Sequence, residues 1–346
     1  MQPGRGFVIS LAGLALVVTL TAALAATLGF LRVPLHEVAT VFSAKALLRP
    51  VPQEIDATTI SVLTNVRLPR ILAAILIGGS LALCGAVFQA VLLNPLADPY
   101  TLGISTGAAF GASLVIVLQI FGLALPTAIS VPFFAFLGGM GTLALVLYLA
   151  AGDSRLSSTS LILAGVIVSA ILSAAIGFFK FLADEQVGII IFWLMGSLAG
   201  ASWSQLQMLA PVTLVGALLL CIFGRDLNIM AAGERSAASL GIATQRLRLL
   251  LVCICSLLTA MAVSVSGIIG FVGLIVPHLL RHLSGPDNRV LLPYSFFAGA
   301  LLLLVADTLT RAVLPSEVPI GVLTALLGGP FFCFLFKKRQ RDGGIF

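Results

Sequence analysis

Long apolar segments, separated by short polar breaks, follow one another along almost the whole chain. A helix needs about 20 apolar residues to cross a bilayer. The first segment, about 7–31, is longer than the apolar core of a secretory signal and lacks a clear cleavage site with a polar flank. Only 9% of the 346 residues are charged, against about a quarter in soluble domains. We therefore predict an all-α polytopic membrane protein.

The polar breaks divide a single transmembrane domain, residues 1–346, into about ten spans. We expect these spans at about 7–31, 68–91, 101–120, 130–150, 159–180, 204–223, 246–266, 270–283, 290–311 and 319–336. Three other segments stand out: a polar stretch at about 32–66, a short helix near 186–197 and a polar loop at about 224–245.

The distribution of basic residues predicts the orientation. An even number of spans places both termini on one side, and the basic tail at 337–341 makes that side cytoplasmic. The stretch 32–66 is then periplasmic and the loop 224–245 cytoplasmic. The net charge of +6 reflects this orientation and does not indicate a nucleic-acid partner. Basic residues near spans are expected mainly on the cytoplasmic side. Arg67, Arg70 and Arg311 fall on the outer side, so their position needs an explanation.

Catalytic motifs are missing from the sequence. No lysine follows a glycine, so there is no P-loop, and any ATP hydrolysis needs another subunit. Gly103, Ser105 and Gly107 have the spacing of a nucleophile elbow, but that motif needs a strand-turn-helix context and a histidine partner. We interpret them as helix-packing residues and predict no catalytic residues.

Three ionisable positions in the later spans have two interpretations each. His278 and His282 share a helix face and could bind a metal ion. With Arg281 beside them and no carboxylate nearby, we favour a polar helix end and expect no metal site. Asp307 lies inside a span, one turn before Arg311, and a structural ion pair is favoured over a proton relay.

The loop at 224–245 predicts a short helix at about 234–240, ended by Gly241. Its small side chains suit a groove in a cytosolic partner. A simple connector is the alternative.

Several sequence blocks carry more specific information. They are RLPRILA (67–73), GAVFQ (85–89), NPLADP (94–99), LGIS (102–105), LAGV (163–166), WLMGS (193–197), GFVGLIVPH (270–278), GPDNR (285–289), AD (306–307), PIGV (319–322) and GGP (328–330). In composition and order they resemble the permease family of ABC importers for iron siderophores, vitamin B12 and haem, the FecCD/BtuC-like type II importers. The resemblance extends from about residue 65 to 336.

The resemblance implies a set of partners and a location. Family members are ten-helix subunits of the bacterial inner membrane, usually paired as homodimers around a central path. Two cytosolic ATPase subunits bind the cytoplasmic face and use ATP and Mg²⁺. A periplasmic binding protein delivers the cargo to the opposite face. The permease itself binds no cofactor. The fifth and tenth spans and the helix near 186–197 are expected to border the path.

The resemblance also implies roles for individual residues. Arg67, Arg70 and Arg311 match arginines that receive acidic residues of the binding protein, with lipid-headgroup anchoring as the alternative. The segment that meets the ATPase contains Gly233, Glu234, Ser236, Ala237, Ser239, Leu240 and Gly241. Two cytoplasmic loops that close the path contain Asn94, Leu96, Ser158 and Thr159, and the second pair departs slightly from the family pattern.

The expected function is ATP-driven import by alternating access. An iron siderophore is the first candidate cargo and haem the second, ahead of vitamin B12 or an oxyanion. A self-sufficient secondary carrier is the rival class, but it requires paired charges or broken helices with coordinating groups at mid-membrane. Asp307 alone does not meet that requirement. A membrane enzyme would need a nucleophile and base, or a metal cluster, and the sequence suggests neither.

Overall fold

The computed structural model describes residues 5–29, 31–152, 156–231, 233, 237, 239–241, 243–312 and 317–341. Within these ranges every regular element is a helix. The α-helices are α1 (Arg5–Thr27), α2 (Leu35–Ala46), α3 (Ala57–Ser61), α4 (Leu68–Val91), α5 (Ile104–Ile120), α6 (Thr127–Ala150), α7 (Ser158–Ala183), α8 (Val187–Leu194), α9 (Trp203–Ile222), α10 (Gly224–Ala231), α11 (Thr244–Ser266), α12 (Val272–Ser284), α13 (Asn288–Ala312) and α14 (Ile320–Arg341).

Seven of the described helical segments are long and apolar enough to cross a membrane. They are Gly6–Thr27, Ala57–Val91, Thr127–Ala150, Ser158–Leu194, Trp203–Ile222, Thr244–Ser266 and Asn288–Ala312. The all-helical membrane class is thus confirmed, and each predicted span coincides with a helix. α12 has 13 residues and is about 20 Å long, shorter than the hydrocarbon core. The count of ten spans and the orientation of the termini stay predictions.

The stretch at 32–66 is more regular than its polar composition suggested, because it contains α2 and α3. A π-helical turn, Val62–Arg67, joins α3 to α4, so this helix begins at Ala57 rather than near 68. Pro69 has no N–H group for the carbonyl of residue 65, four positions earlier. The wide turn accommodates this missing hydrogen bond without ending the helix.

Glycines set how closely the central helix α4 is packed. Most of α4 is buried, and two of its three glycines, Gly78 and Gly85, meet glycines of the neighbouring helices. A Cβ on Gly85 would lie 1.9 Å from the carbonyl oxygen of Gly273 in α12. A Cβ on Gly78 would lie 2.4 Å from the carbonyl oxygen of Gly299 in α13. These close crossings hold α4 against α12 and α13, and they bring the start of α4 to the end of α13.

Candidate functional site

A cluster of charged side chains lies at this end of the bundle, which we call the arginine end. Arg70 is buried and donates from Nε to Oδ1 of Asp307 at 2.9 Å. Its Nη1 contacts both carboxylate oxygens of Glu317, at 3.1 and 3.0 Å. Asp307 is 0% exposed, whereas the Glu317 side chain is 51% exposed. One arginine therefore joins a buried carboxylate to one at the surface.

The other two arginines hold the end of α1. Arg67 donates to the carbonyls of Ala26, at 2.6 Å, and Leu31. Arg311 donates to carbonyl oxygens of the same segment at 2.6 and 2.5 Å. The last carbonyls of a helix have no partner within it, and positive charge there is favourable. These hydrogen bonds to the end of α1 give Arg67 and Arg311 a structural role on the predicted outer side.

The predicted ion pair of Asp307 with Arg311 is confirmed, with Oδ2 and Nε 3.4 Å apart. Sequence reasoning missed that Arg70 is the closer partner, because these residues lie 237 positions apart and no spacing rule links them. It also did not predict that Glu317 contacts Arg70. In the isolated chain all three guanidinium groups are buried, and neither docking nor lipid anchoring is visible in their contacts. Docking through these arginines stays a prediction.

At the opposite end of the bundle, hydrogen bonds join α10 to the start of α13. Asn228 donates to Asp287 at 2.6 Å and accepts from the backbone N–H of Asn288 at 2.8 Å. The Arg289 guanidinium binds the same carboxylate, with Nη2 and Oδ2 2.6 Å apart. Hydrogen bonds from Arg289 and Asn228 hold the pKa of Asp287 well below its usual range. The sequence blocks contained Asp287, but nothing in them pointed to Asn228.

The proposed ATPase-coupling residues follow α10. Ala237 is helical and buried, and its N–H donates to the Gly233 carbonyl at 3.0 Å. Ser239 is also helical, and Gly241 has the left-handed φ of 82° expected after a helix. Leu240 is 68% exposed. Glu234 and Ser236 lie outside the described residues. The described residues form the end of a short helix with one protruding apolar side chain, and their coupling role stays a prediction.

The two predicted gate segments lie in different local structures. Asn94 accepts the N–H of Leu96 through Oδ1 at 2.9 Å, which makes a tight turn with Leu96 exposed. Ser158 and Thr159 begin α7, behind the helix-capping Ser157. Within the part of the chain that the structure describes, no hydrogen bond joins the two segments. Their role as a gate stays a prediction.

An apolar groove of about 510 Å³ lies between the end of α8, the segment before α12, and α14. It is lined by Leu194, Met195, Ile268, Gly270, Gly321, Val322, Ala325, Leu326 and Pro330. None of these side chains is charged. The tenth predicted span and the short helix near 186–197 were expected to border the path, and both border this groove. α7, the fifth span, contributes none of these lining residues.

Known proteins are similar to this chain in sequence, and a solved structure is similar to it in fold. A family model described as the FecCD transport family matches residues 14–338. An uncharacterised ABC transporter permease protein of Bacillus subtilis (strain 168), YvrB, is 40% identical over 319 residues, which are 91% of this chain and 89% of that protein. A solved structure described as an inward-facing metal-chelate type ABC transporter has a TM-score of 0.81 and 35% identity, over 95% of this chain and 98% of that one.

Two further relatives are named for different cargoes. The hemin transport system permease protein HmuU of Yersinia pestis is 40% identical over 81% of this chain and 84% of that protein. The molybdate import system permease protein MolB of Haemophilus influenzae is 37% identical over 96% of both.

Proposed function

Since the chain belongs to the FecCD transport family, a family of ABC importer permeases, we propose that it carries an iron chelate into the cytoplasm. As such a permease it is a multi-pass membrane protein that works with a partner permease and an ATPase. We infer the class of cargo from the similarity, at 35% identity, to a metal-chelate type transporter. A siderophore complex is the first candidate.

The proposed assembly has two identical permeases, two ATPase subunits that bind ATP and Mg²⁺, and a periplasmic binding protein. It lies in a bacterial inner membrane, with both termini of the permease in the cytoplasm. The permease binds no nucleotide and performs no catalysis.

The apolar groove is the proposed wall of the path. Its small and apolar lining offers few directional contacts, so cargo would bind weakly and move on. Affinity then resides in the binding protein, and the helices alternate between outward-open and inward-open states. The Asn94–Leu96 turn and the start of α7 would close the inner end.

Docking is proposed at the arginine end. Arg70 already binds a surface carboxylate, because Glu317 contacts its Nη1. An acidic residue of the binding protein would replace Glu317 there, while Asp307 keeps the arginine in place. Charge-assisted pairs of this kind steer association and fix its register.

Coupling is proposed at the opposite end, through Leu240 and its neighbours. Leu240 is a large apolar side chain on a polar loop, and it would be buried in a groove of the ATPase. The Asn228–Asp287 contact fastens α10, which precedes this loop, to α13. Movement of the loop would thereby be transmitted to α13, the helix that contains Asp307.

Haem is the second candidate cargo. The apolar lining of the groove suits a porphyrin face, and HmuU is a relative named for hemin. A secondary carrier is disfavoured, because the buried charges around Asp307 lie at one end of α13 instead of at its middle.

Transport with a panel of cargoes tests the proposal. The permease, its ATPase and its binding protein are placed in liposomes, and uptake of ferric siderophores, haem, cobalamin and molybdate is compared. We expect uptake of a ferric siderophore. ATP-dependent uptake of molybdate alone would reject the iron-chelate proposal while leaving the importer class intact.

A further inference from the structure

Two histidines face each other on α12, near the end of the bundle opposite the arginines. Nε2 of His278 and Nε2 of His282 are 3.3 Å apart. When two imidazole nitrogens bind a tetrahedral ion at about 2.0–2.1 Å each, they lie roughly 3.3–3.4 Å from one another. The pair already has the spacing of a chelate. From this geometry we propose that His278 and His282 form a binding site for a divalent transition-metal ion, such as Zn²⁺ or Ni²⁺.

The charge next to the pair does not oppose a cation as strongly as the sequence suggested. Arg281 reaches across to α4, where it donates to the side-chain oxygen of Gln89 and contacts the Ala86 carbonyl at 3.5 Å. His278 instead faces α14, where the Phe332 ring lies 6.3 Å from its own. His282 is also in the last turn of α12, where the helix dipole favours positive charge.

The site lies beside the apolar groove. Phe332 lies between Phe271 and His278, with ring-centroid distances of 6.5 and 6.3 Å. The residue before Phe271, Gly270, lines the groove. His282 is exposed and His278 is half-buried, so a metal ion can reach the pair from solvent. The ion would therefore sit next to the end of the groove that lies farther from the arginines.

The described part of the chain supplies two ligands, His278 and His282. Among the described residues, no group of three or more histidines, cysteines or carboxylates could hold a metal ion. Water or another donor would complete the coordination. In the free chain the two Nε2 atoms share a hydrogen, so the ring that donates it must take the Nδ1–H tautomer when the ion binds. The site does not depend on the identity of the transported cargo.

Metal binding is measured on the full chain, purified in detergent with an affinity tag that contains no histidine. Titration calorimetry with Ni²⁺ and with Zn²⁺ should show stoichiometric binding. His278→Ala and His282→Ala should each weaken it by roughly a hundredfold, because the second imidazole binds intramolecularly. His36→Ala is the matched control, since His36 is the third histidine and lies on α2, and it should leave the affinity unchanged.

Electron paramagnetic resonance with Cu²⁺ gives a second measurement. We expect two coordinating nitrogens in the wild type and one in His282→Ala, whose elution volume confirms that the protein is folded. The absence of stoichiometric binding would overturn the proposal. Binding that is equally strong in the doubly substituted protein would overturn it as well, because the ion would then be held elsewhere.

Discussion

Asp307→Asn should destabilise the protein more than Glu317→Gln does, although both substitutions remove a carboxylate that Arg70 contacts. The substitution keeps the size of the side chain and removes a charge that is 0% exposed and faces two buried guanidinium groups. Removing one partner of a buried ion pair costs about 3–5 kcal/mol. Arg70 keeps Glu317 and Arg311 keeps two backbone carbonyls, so we expect about 3 kcal/mol, at the lower end of that range.

Glu317→Gln is the matched control, because it removes a carboxylate from the same arginine. The Glu317 side chain is 51% exposed, and exposed pairs contribute at most about 1 kcal/mol. Both variants are unfolded by titrating dodecylmaltoside-solubilised protein with sodium dodecyl sulfate, and the free energy of unfolding is followed by circular dichroism. If Asp307→Asn costs no more than Glu317→Gln, the ion pair at Asp307 does not hold α4 and α13 together.

Three further predictions concern packing, docking and coupling. Gly85→Ala places a Cβ 1.9 Å from the Gly273 carbonyl oxygen and should cost about 3 kcal/mol in the same unfolding titration. Gly141→Ala, with no atom within 4 Å, should cost nothing, and equal losses would show that α4 and α12 do not cross this closely. Glu317→Gln should strengthen docking of the binding protein, measured by surface plasmon resonance, since Arg70 loses a competing carboxylate; unchanged or weaker docking would contradict the proposed exchange. Leu240→Ser should weaken binding of the ATPase by about tenfold, or roughly 1.5 kcal/mol, and undiminished binding would remove Leu240 from the interface.

Periodicity and composition predicted those elements whose apolar runs differ sharply from their flanks. α4, α11 and α13 begin and end within a few residues of the predicted spans, apart from the extension of α4 back to Ala57. That extension and α2 were missed because their polar residues resemble a loop, although α2 buries Val38, Val41 and Ala44 on one side. The π-helical turn Val62–Arg67 lets the helix continue through Pro69.

The candidate sites were predictable to different degrees. The pairing of Asp307 with Arg311 follows from helical spacing, and the structure confirms it. The pairing with Arg70 depends on which helices cross, and the crossing is set by glycines whose contacts a single sequence does not show. The direction of Arg281, which decides the electrostatics around His278, likewise depends on a neighbouring helix.

ATP-dependent import by the complete assembly tests the central claim most directly. The permease is placed in liposomes with its ATPase and its loaded binding protein, and uptake of a labelled ferric siderophore is measured with ATP and with a non-hydrolysable analogue. We expect uptake only when ATP is hydrolysed and both partners are present. Uptake by the permease alone, without the ATPase, would contradict an importer driven by its partner and would favour a secondary carrier.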